Sequence, residues 1–408
     1  MNEKEKLKEI IRLGIELNNV HDVDILLERI LFEARKFVNA DAGTIYIREG
    51  DQLVFSHTQN DTLQKKLPPG DKLIYSTFRV PINVNSLSGY VAYNGEMLNI
   101  PDVYLIDNSL PYSFDPSYDN SAGYHTTSML TVPLKTDRDR VIGVLQIINA
   151  LDKNNNPLPF SSQDEMFIAH FASTASMVLQ RSMLTRSMLL RMIQMAELRD
   201  PRETGAHVNR VASYSAEIYE RWALHAGLSR DEIDKNRDVL RMAAILHDVG
   251  KVAISDLILK KPGHFNDEEY EIMKSHTFLG ARLFLDSHSE FDEVACAVSL
   301  THHENWDGTG YPGHIDIMTG LPVEKDSRGR AVPMKGEEIS IYGRVVAIAD
   351  VFDALSSNRV YKQAWSEKDV LKEIKSMSGT KFDPDIVDTF FESLGIIRSL
   401  ATRYPDAD

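Results

Sequence analysis

Apolar residues recur at helical spacing over residues 3 to 18 (Ile10, Ile11, Leu13, Ile15 and Leu17) and over 22 to 38 (Ile25, Leu26, Ile30, Leu31 and Phe37), with Asn18 and Asn19 as the turn between them. Two helices therefore open the chain. From Ala42 the period changes: GTIYIREG and QLVFSHT read as short strands, followed by FRVPINV, a helical SGYVAYNG, and the strands TSMLTVPLK and VIGVLQIIN. The polar turn Thr136 to Arg140 between the last two suits an antiparallel hairpin. A helix from Ser162 to about Glu197 follows, and its part from Ala172 to Arg199 is rich in Met and Leu with no proline or glycine. The order helix, strands, helix, strands, long helix points to an α+β sensor-type domain, with an antiparallel sheet and flanking helices. The long helix joins it to an all-helical second domain.

Composition narrows the class. At 408 residues, with 43% hydrophobic and 26% charged residues, the chain is expected to form two or three ordinary globular domains. No apolar run is long enough to cross a bilayer, and MNEKEKLKEIIRLGIEL is a charged amphipathic helix without the apolar core of a secretory signal. A cytoplasmic location and no membrane span are expected. Cys296 is the only cysteine, which excludes an intrachain disulfide and a thiolate metal site. A formal charge of −15 argues against binding the backbone of nucleic acid, which needs clustered cations.

The chemistry concentrates between residues 247 and 312, which begin HDVGK, pass through His276 and close with HHENWDGTGYP. His247, His276, His302 and His303 with several carboxylates in one short stretch suggest a shared metal. Upstream, Glu203 and His207 are four residues apart and share a face if the helix has begun there. His247 and Asp248 are adjacent, roughly 100 degrees apart on a helix, which suits a two-metal site bridged by the carboxylate better than one ion gripped twice. His302 and His303 follow VACAVSL, and Asp350 ends VVAIAD. A donor set of imidazoles and carboxylates suits iron, manganese or another borderline transition metal.

Residues 21 to 180 resemble a GAF domain through SGYVAYNGEMLNIPDVY, TSMLTVPLK, VIGVLQIIN and the helix beginning PFSSQDEMF. Asn149, Phe160, Asp164 and Glu165 resemble part of the Asn-Lys-Phe-Asp-Glu set of cyclic-nucleotide-binding members. Ala150, however, stands where the lysine would be, which removes a salt-bridge partner and counts against that ligand. Turn and helix-start roles for Asn149 and Asp164 are the reading we weigh more heavily. The domain has no cysteine for a bilin, its lone His57, His125 and His170 are more simply packed or surface residues than haem ligands, and its ligand stays unassigned.

Residues 200 to 394 resemble the HD-GYP family of metal-dependent phosphohydrolases through HDVGKVAISDLILKKPG, HHENWDGTGYP, RVVAIADVFDALSSNRVYK and GTKFDPDIV. The resemblance implies that His247, Asp248, His276, His302, His303 and Asp350 ligate metal, with Glu203 and His207 holding a third ion found in some members. It implies substrate contacts from Lys251, Gly310, Tyr311, Arg359 and Lys362, and two or three ions, iron being the family's usual metal. The implied reaction is hydrolysis of cyclic di-GMP to linear pGpG, with GMP as a further product, by attack of a metal-activated hydroxide; His247, Asp248 and Lys251 would be its catalytic residues.

The expected organisation is an N-terminal helix over 1–20, a GAF domain over 21–180, a connecting helix over 172–199 and the phosphodiesterase domain over 200–408. The Met- and Leu-rich helix suggests a homodimer through itself and the GAF domain, against the alternative of packing within its own subunit. Two other functions stay open: action on another cyclic dinucleotide such as 3′,3′-cyclic GMP-AMP, and a receptor or adaptor with weak catalysis. Asp353 either supports the metal ligands or lies on a helix surface, and a structural role is favoured because it sits in FDAL beside apolar neighbours; His264 and His288 are expected to be surface residues. The polar stretch 313 to 332 is either a lid whose Lys325, Arg328 and Arg330 reach substrate or a solvated loop.

Overall fold

The structure is a computed structural model that describes residues 3–68, 72–73, 78–197, 205–286, 289–357 and 365–404. The chain divides into two compact units, Met1–Arg186 and Ser187–Asp408. Each has its own core.

The first unit opens with α1 (Glu3–Asn18) and α2 (Val23–Phe37). Asp22 caps α2 by accepting the backbone N–H groups of Asp24 and Ile25, as a helix start requires. Then come β1 (Ala40–Glu49), β2 (Gln52–Asn60), α3 (Asp61–Gln64), β3 (Arg79–Pro81), α4 (Leu87–Asn94), β4 (Leu98–Ile100), α5 (Ser117–Ala122), β5 (Met129–Lys135), β6 (Val141–Leu151) and β7 (Pro157–Leu158). The strands form one antiparallel sheet in the order β3-β2-β1-β6-β5-β4, with β7 beside β6. The expected hairpin closes where Thr136 N–H donates to the Arg140 carbonyl at 2.9 Å.

Alternation along the strands sorts residues to the two faces. Ile45, Leu145 and Ile147 join Leu13 and Leu17 of α1, Leu26, Leu27, Ile30 and Leu31 of α2, and Phe171 and Leu179 of the closing helix. Tyr46 and Val144, one residue away, join Val91 and Ala92 of α4 on the opposite face. Both faces are covered, so β1 is buried along most of its length. Leu26 is fully buried, and Leu26→Ala should cost about 2–5 kcal/mol through lost transfer energy and the cavity left behind. Thermal unfolding of the first unit would report it as a fall of roughly 5–15 °C; a shift near zero would mean that this core is not assembled as described.

The closing helix α6 (Ser162–Glu197) is 36 residues long and contains the division between the units within its length. Its first-unit part is strapped to the opening helices. Arg181 Nη2 donates to the Asn18 carbonyl at 2.5 Å, and Arg186 Nη1 to Asp24 Oδ2 at 2.7 Å. Asn149, at φ 55°, accepts the N–H groups of Thr127 and Ser128 and donates to Tyr124 Oη and the His125 carbonyl. Asp164 accepts from the backbone N–H and hydroxyl of Ser161 at the start of α6. Both residues thus have the turn and helix-start roles expected of them.

The second unit is helical: α7 (Gly205–His225), α8 (Arg230–Ile245), α9 (Asp256–Leu259), α10 (Asp267–Lys274), α11 (His276–Ala281), α12 (Glu290–Thr301), α13 (Ile341–Ser356), α14 (Glu367–Ser376), α15 (Pro384–Glu392) and α16 (Leu394–Arg403), with short 3-10 turns, one at Val249–Ala253. Its core joins Val208, Val211 and Tyr214 of α7, Leu240, Ala243 and Ala244 of α8, Ala295 and Val298 of α12, and Val345 to Ala349 of α13. The small residues let α7, α8, α12 and α13 approach closely.

Candidate metal centre

Seven side chains gather in two groups. Donor atoms of Asp248, His276, His302 and His303 lie within 4.8 Å of one another, and so do those of His207, His247 and Asp350. His247 follows the end of α8, and Asp248 begins the 3-10 turn after it. His276 opens α11, His302 caps the C-terminus of α12, and His207 lies in the first turn of α7. Asp350 sits within α13 rather than at its end. Helix termini thus turn most of these groups inward.

Local hydrogen bonds settle which ring nitrogen is available. Nδ1 lies 2.8 Å from the Ala244 carbonyl in His247, 2.7 Å from the Met273 carbonyl in His276, and 3.0 Å from the Val298 carbonyl in His302. A carbonyl only accepts, so each Nδ1 carries the proton and each Nε2 turns a lone pair towards the other members of its group. His276 Nε2, His302 Nε2 and Asp248 Oδ1 are buried and have no hydrogen-bond partner among the described residues. Buried polar atoms in that state cost roughly 1–3 kcal/mol each unless something completes them. Three such acceptors facing one another fit a cation.

Asp248 stands between the groups. Its Oδ1 lies 3.1 Å from His276 Nε2 and 3.6 Å from His302 Nε2, whereas Oδ2 lies 3.3 Å from His247 Nε2 and accepts from Lys251 Nζ at 2.6 Å. Burial alone would raise its pKa, but the Lys251 ammonium bonded to it is the foremost influence that outweighs burial and holds it well below the usual carboxylate range. Burial, foremost, lowers the pKa of His302 and lowers that of His303 further. Both imidazoles therefore stay neutral and able to donate a lone pair where an exposed histidine would be protonated.

The loop after α12 closes one side. The Tyr311 ring stacks on His303 with centroids 4.9 Å apart, and Tyr311 N–H donates to the His303 carbonyl at 3.2 Å. At Gly310 a Cβ would fall 2.2 Å from the Asn305 nitrogen and 2.5 Å from Glu304 Cα, so only glycine lets the loop fold back this tightly. Glu304, which sequence reasoning missed although it lies inside HHENWDGTGYP, accepts the Gly313 N–H at 2.5 Å. Burial pushes its pKa up to about 7 despite the N–H groups of Gly313 and Met334.

Asp353 lies in the interior beside the second group. It is 1% exposed and lies 2.8 Å from His207 Nδ1. Residues 313 to 332 bond to themselves: His314 N–H donates to the Val332 carbonyl, Val323 N–H to the His314 carbonyl and Val332 N–H to the Glu324 carbonyl. Lys325, Arg328 and Arg330 are exposed, with Arg330 paired to Asp326, which favours the solvated-loop alternative. His264 is exposed. Glu203, Arg359, Lys362 and His288 lie outside the described residues.

The chain matches the GAF domain family over residues 22–179 and the HD domain family over residues 204–355, with a second HD domain match over 326–386. It is 38% identical over 205 residues to the 3′3′-cGAMP-specific phosphodiesterase 2 of Vibrio cholerae, covering 50% of this chain and 34% of that protein. It is 37% identical over 214 residues to the cyclic di-GMP phosphodiesterase of Thermotoga maritima, covering 52% and 50%. The chain thus spans half or less of the length of these relatives. Among solved structures, a GAF domain/HD domain protein from Geobacter sulfurreducens is similar over 41% of this chain and 98% of that chain, at 19% identity and a TM-score of 0.29. A GAF domain followed by an HD domain is the organisation of this chain. An HD domain implies divalent metal binding, and the two His/Asp groups are candidates for it.

Proposed function

We propose that this chain is a phosphodiesterase of the HD-GYP family that opens cyclic di-GMP to linear pGpG, with GMP as a further product, under the control of its GAF domain. The observation that carries the reading is the pair of adjoining His/Asp groups with Asp248 between them and Lys251 beside Asp248. Adjoining ligand groups suit a two-cation centre for in-line displacement at phosphorus. In this reading Asp248, His276, His302 and His303 hold one ion, and His207, His247 and Asp350 hold another, with Glu203 as a further ligand. Such cations supply Lewis acidity, activating water and neutralising phosphate charge. Iron fits the donor set and manganese is the other fit.

The protein's own groups bind and orient the substrate. Lys251, already drawn to Asp248, places fixed positive charge where the phosphodiester gains charge. Gly310 and Tyr311 shape the wall beside His303, and Arg359 with Lys362 adds cationic contacts. A homodimer through α6 and the GAF domain is part of the proposal. It is supported by Ile11 and Ile15 on α1 and Met177 and Leu184 on α6, apolar side chains that remain 53–63% exposed. No described helix is long and apolar enough to cross a membrane, and a cytoplasmic place is proposed. The relative that bears the name of a 3′3′-cGAMP-specific phosphodiesterase favours the mixed cyclic dinucleotide as the second reading.

The test is hydrolysis of cyclic di-GMP and 3′,3′-cyclic GMP-AMP by anaerobically purified protein whose metal content is measured on the same sample. Turnover of cyclic di-GMP to pGpG, lost on chelation and restored by ferrous iron, is expected. Faster turnover of the mixed dinucleotide would select the second reading. Full metal loading without turnover of either substrate would reject the enzyme.

A further inference from the structure

His207 is oriented differently from His247, His276 and His302. Those three present Nδ1 to backbone carbonyls, whereas His207 Nδ1 faces the carboxylate of Asp353. Arg210 holds that carboxylate in turn: Nε donates to Asp353 Oδ1 at 2.6 Å and Nη2 to Oδ2 at 3.0 Å. The same guanidinium, 4% exposed, is fixed on its outer side by the Tyr404 carbonyl and by Ser357 Oγ, each at 2.8 Å. Helical spacing produces the match. His207 and Arg210 are three residues apart on α7, Asp350 and Asp353 are three apart on α13, and the two faces meet as pairs. Across that meeting His207 Nε2 lies 3.5 Å from Asp350 Oδ1.

We infer that Arg210 and Asp353 are positioning residues that fix the His207 ring, with its proton on Nδ1 and Nε2 turned to Asp350, so that the group His207, His247 and Asp350 takes up its cation independently of the group around His276. The inference rests on the metal-dependent reading above. A carboxylate is a stronger acceptor than a carbonyl; it orients the imidazole and raises its basicity as a ligand. A buried carboxylate needs a paired cation, and Arg210 provides one. In the other group His276 and His302 rely on backbone carbonyls for the same purpose, so substitution at Arg210 or Asp353 acts first on His207.

The test uses Mn2+ as the probe ion on the full chain. Wild type should bind a coupled pair of ions, seen by paramagnetic resonance. Asp353→Asn and Arg210→Gln should each weaken one ion about 10–100-fold, leaving the six-line spectrum of an isolated Mn2+. A variant that retains the coupled pair at wild-type affinity overturns the inference, and so does loss of both ions together, which is what a merely structural role would give. Wild type that binds no Mn2+ overturns the metal-dependent reading instead. Should the variants fail to fold, long-range 1H–15N spectra of the metal-free wild type decide: His207 is expected as the Nδ1–H tautomer with that proton further downfield than in His247, His276 and His302. An Nε2–H tautomer at His207 overturns the inference.

Discussion

Asp248→Ala should lower kcat/KM for the cyclic dinucleotide by on the order of 10³-fold, equivalent to about 4 kcal/mol of transition-state stabilisation. Asp248 is the one carboxylate in its group of four, and its two oxygens face different neighbours: His276 and His302 on one side, His247 and Lys251 on the other. Its removal takes the anionic donor from three imidazoles and leaves the Lys251 ammonium without this partner, so metal content should fall with activity. The side chain contributes little apolar packing, and the variant should still unfold cooperatively. Asp248→Asn separates charge from shape: it keeps the volume and should lose nearly as much activity. Turnover within tenfold of wild type in either variant would remove Asp248 from the centre.

Gly250→Ala should be the most disruptive substitution of a single methyl group in the second unit. A Cβ there would lie 1.9 Å from the His276 carbonyl oxygen and 2.4 Å from the Gly280 nitrogen, both backbone atoms that cannot swing aside. The turn Val249–Ala253 and α11 would have to separate, with overpacking and displacement costing about 3 kcal/mol or more. Unfolding of the second unit should move down by roughly 6–12 °C. Because the separating elements carry Asp248, Lys251 and His276, a shift of about 1 Å should also cost at least ~10²-fold in kcat. Differential scanning calorimetry with a parallel activity assay checks both. A wild-type transition and rate would mean that these two backbones are not in contact.

Much of this was legible in the chain. The helical and strand periods of the first unit appear where the pattern placed them, because its sheet has an inner and an outer face that segregate Ile45 from Tyr46 and Leu145 from Val144. The histidines and aspartates of the second unit were legible because imidazoles beside carboxylates at the ends of apolar helices have few other uses. What supports them was harder to see. Glu304 looks like a surface acid until the fold carries Gly313 back to it. Arg210 reads as an ordinary helix residue and Asp353 as a structural one, with support of the metal ligands as the alternative; only the meeting of α7 with α13 joins them. The signal that could have exposed them is the repeated three-residue spacing, His207 to Arg210 and Asp350 to Asp353. Gly280 likewise gains its meaning only from Gly250 across the contact.

Three of the imidazoles donate the hydrogen bond that sets their tautomer to carbonyls three or four residues back in their own sequence. Each of these ligands is therefore prepared by its local segment, before and independently of its meeting with the others. If a helix of this unit slides or tilts as a body, the separations between donors change while the protonation of each donor is carried along unaltered. A signal that reaches this centre through helix motion would tune it as a matter of distance, graded and reversible, with each ring still held to its own carbonyl.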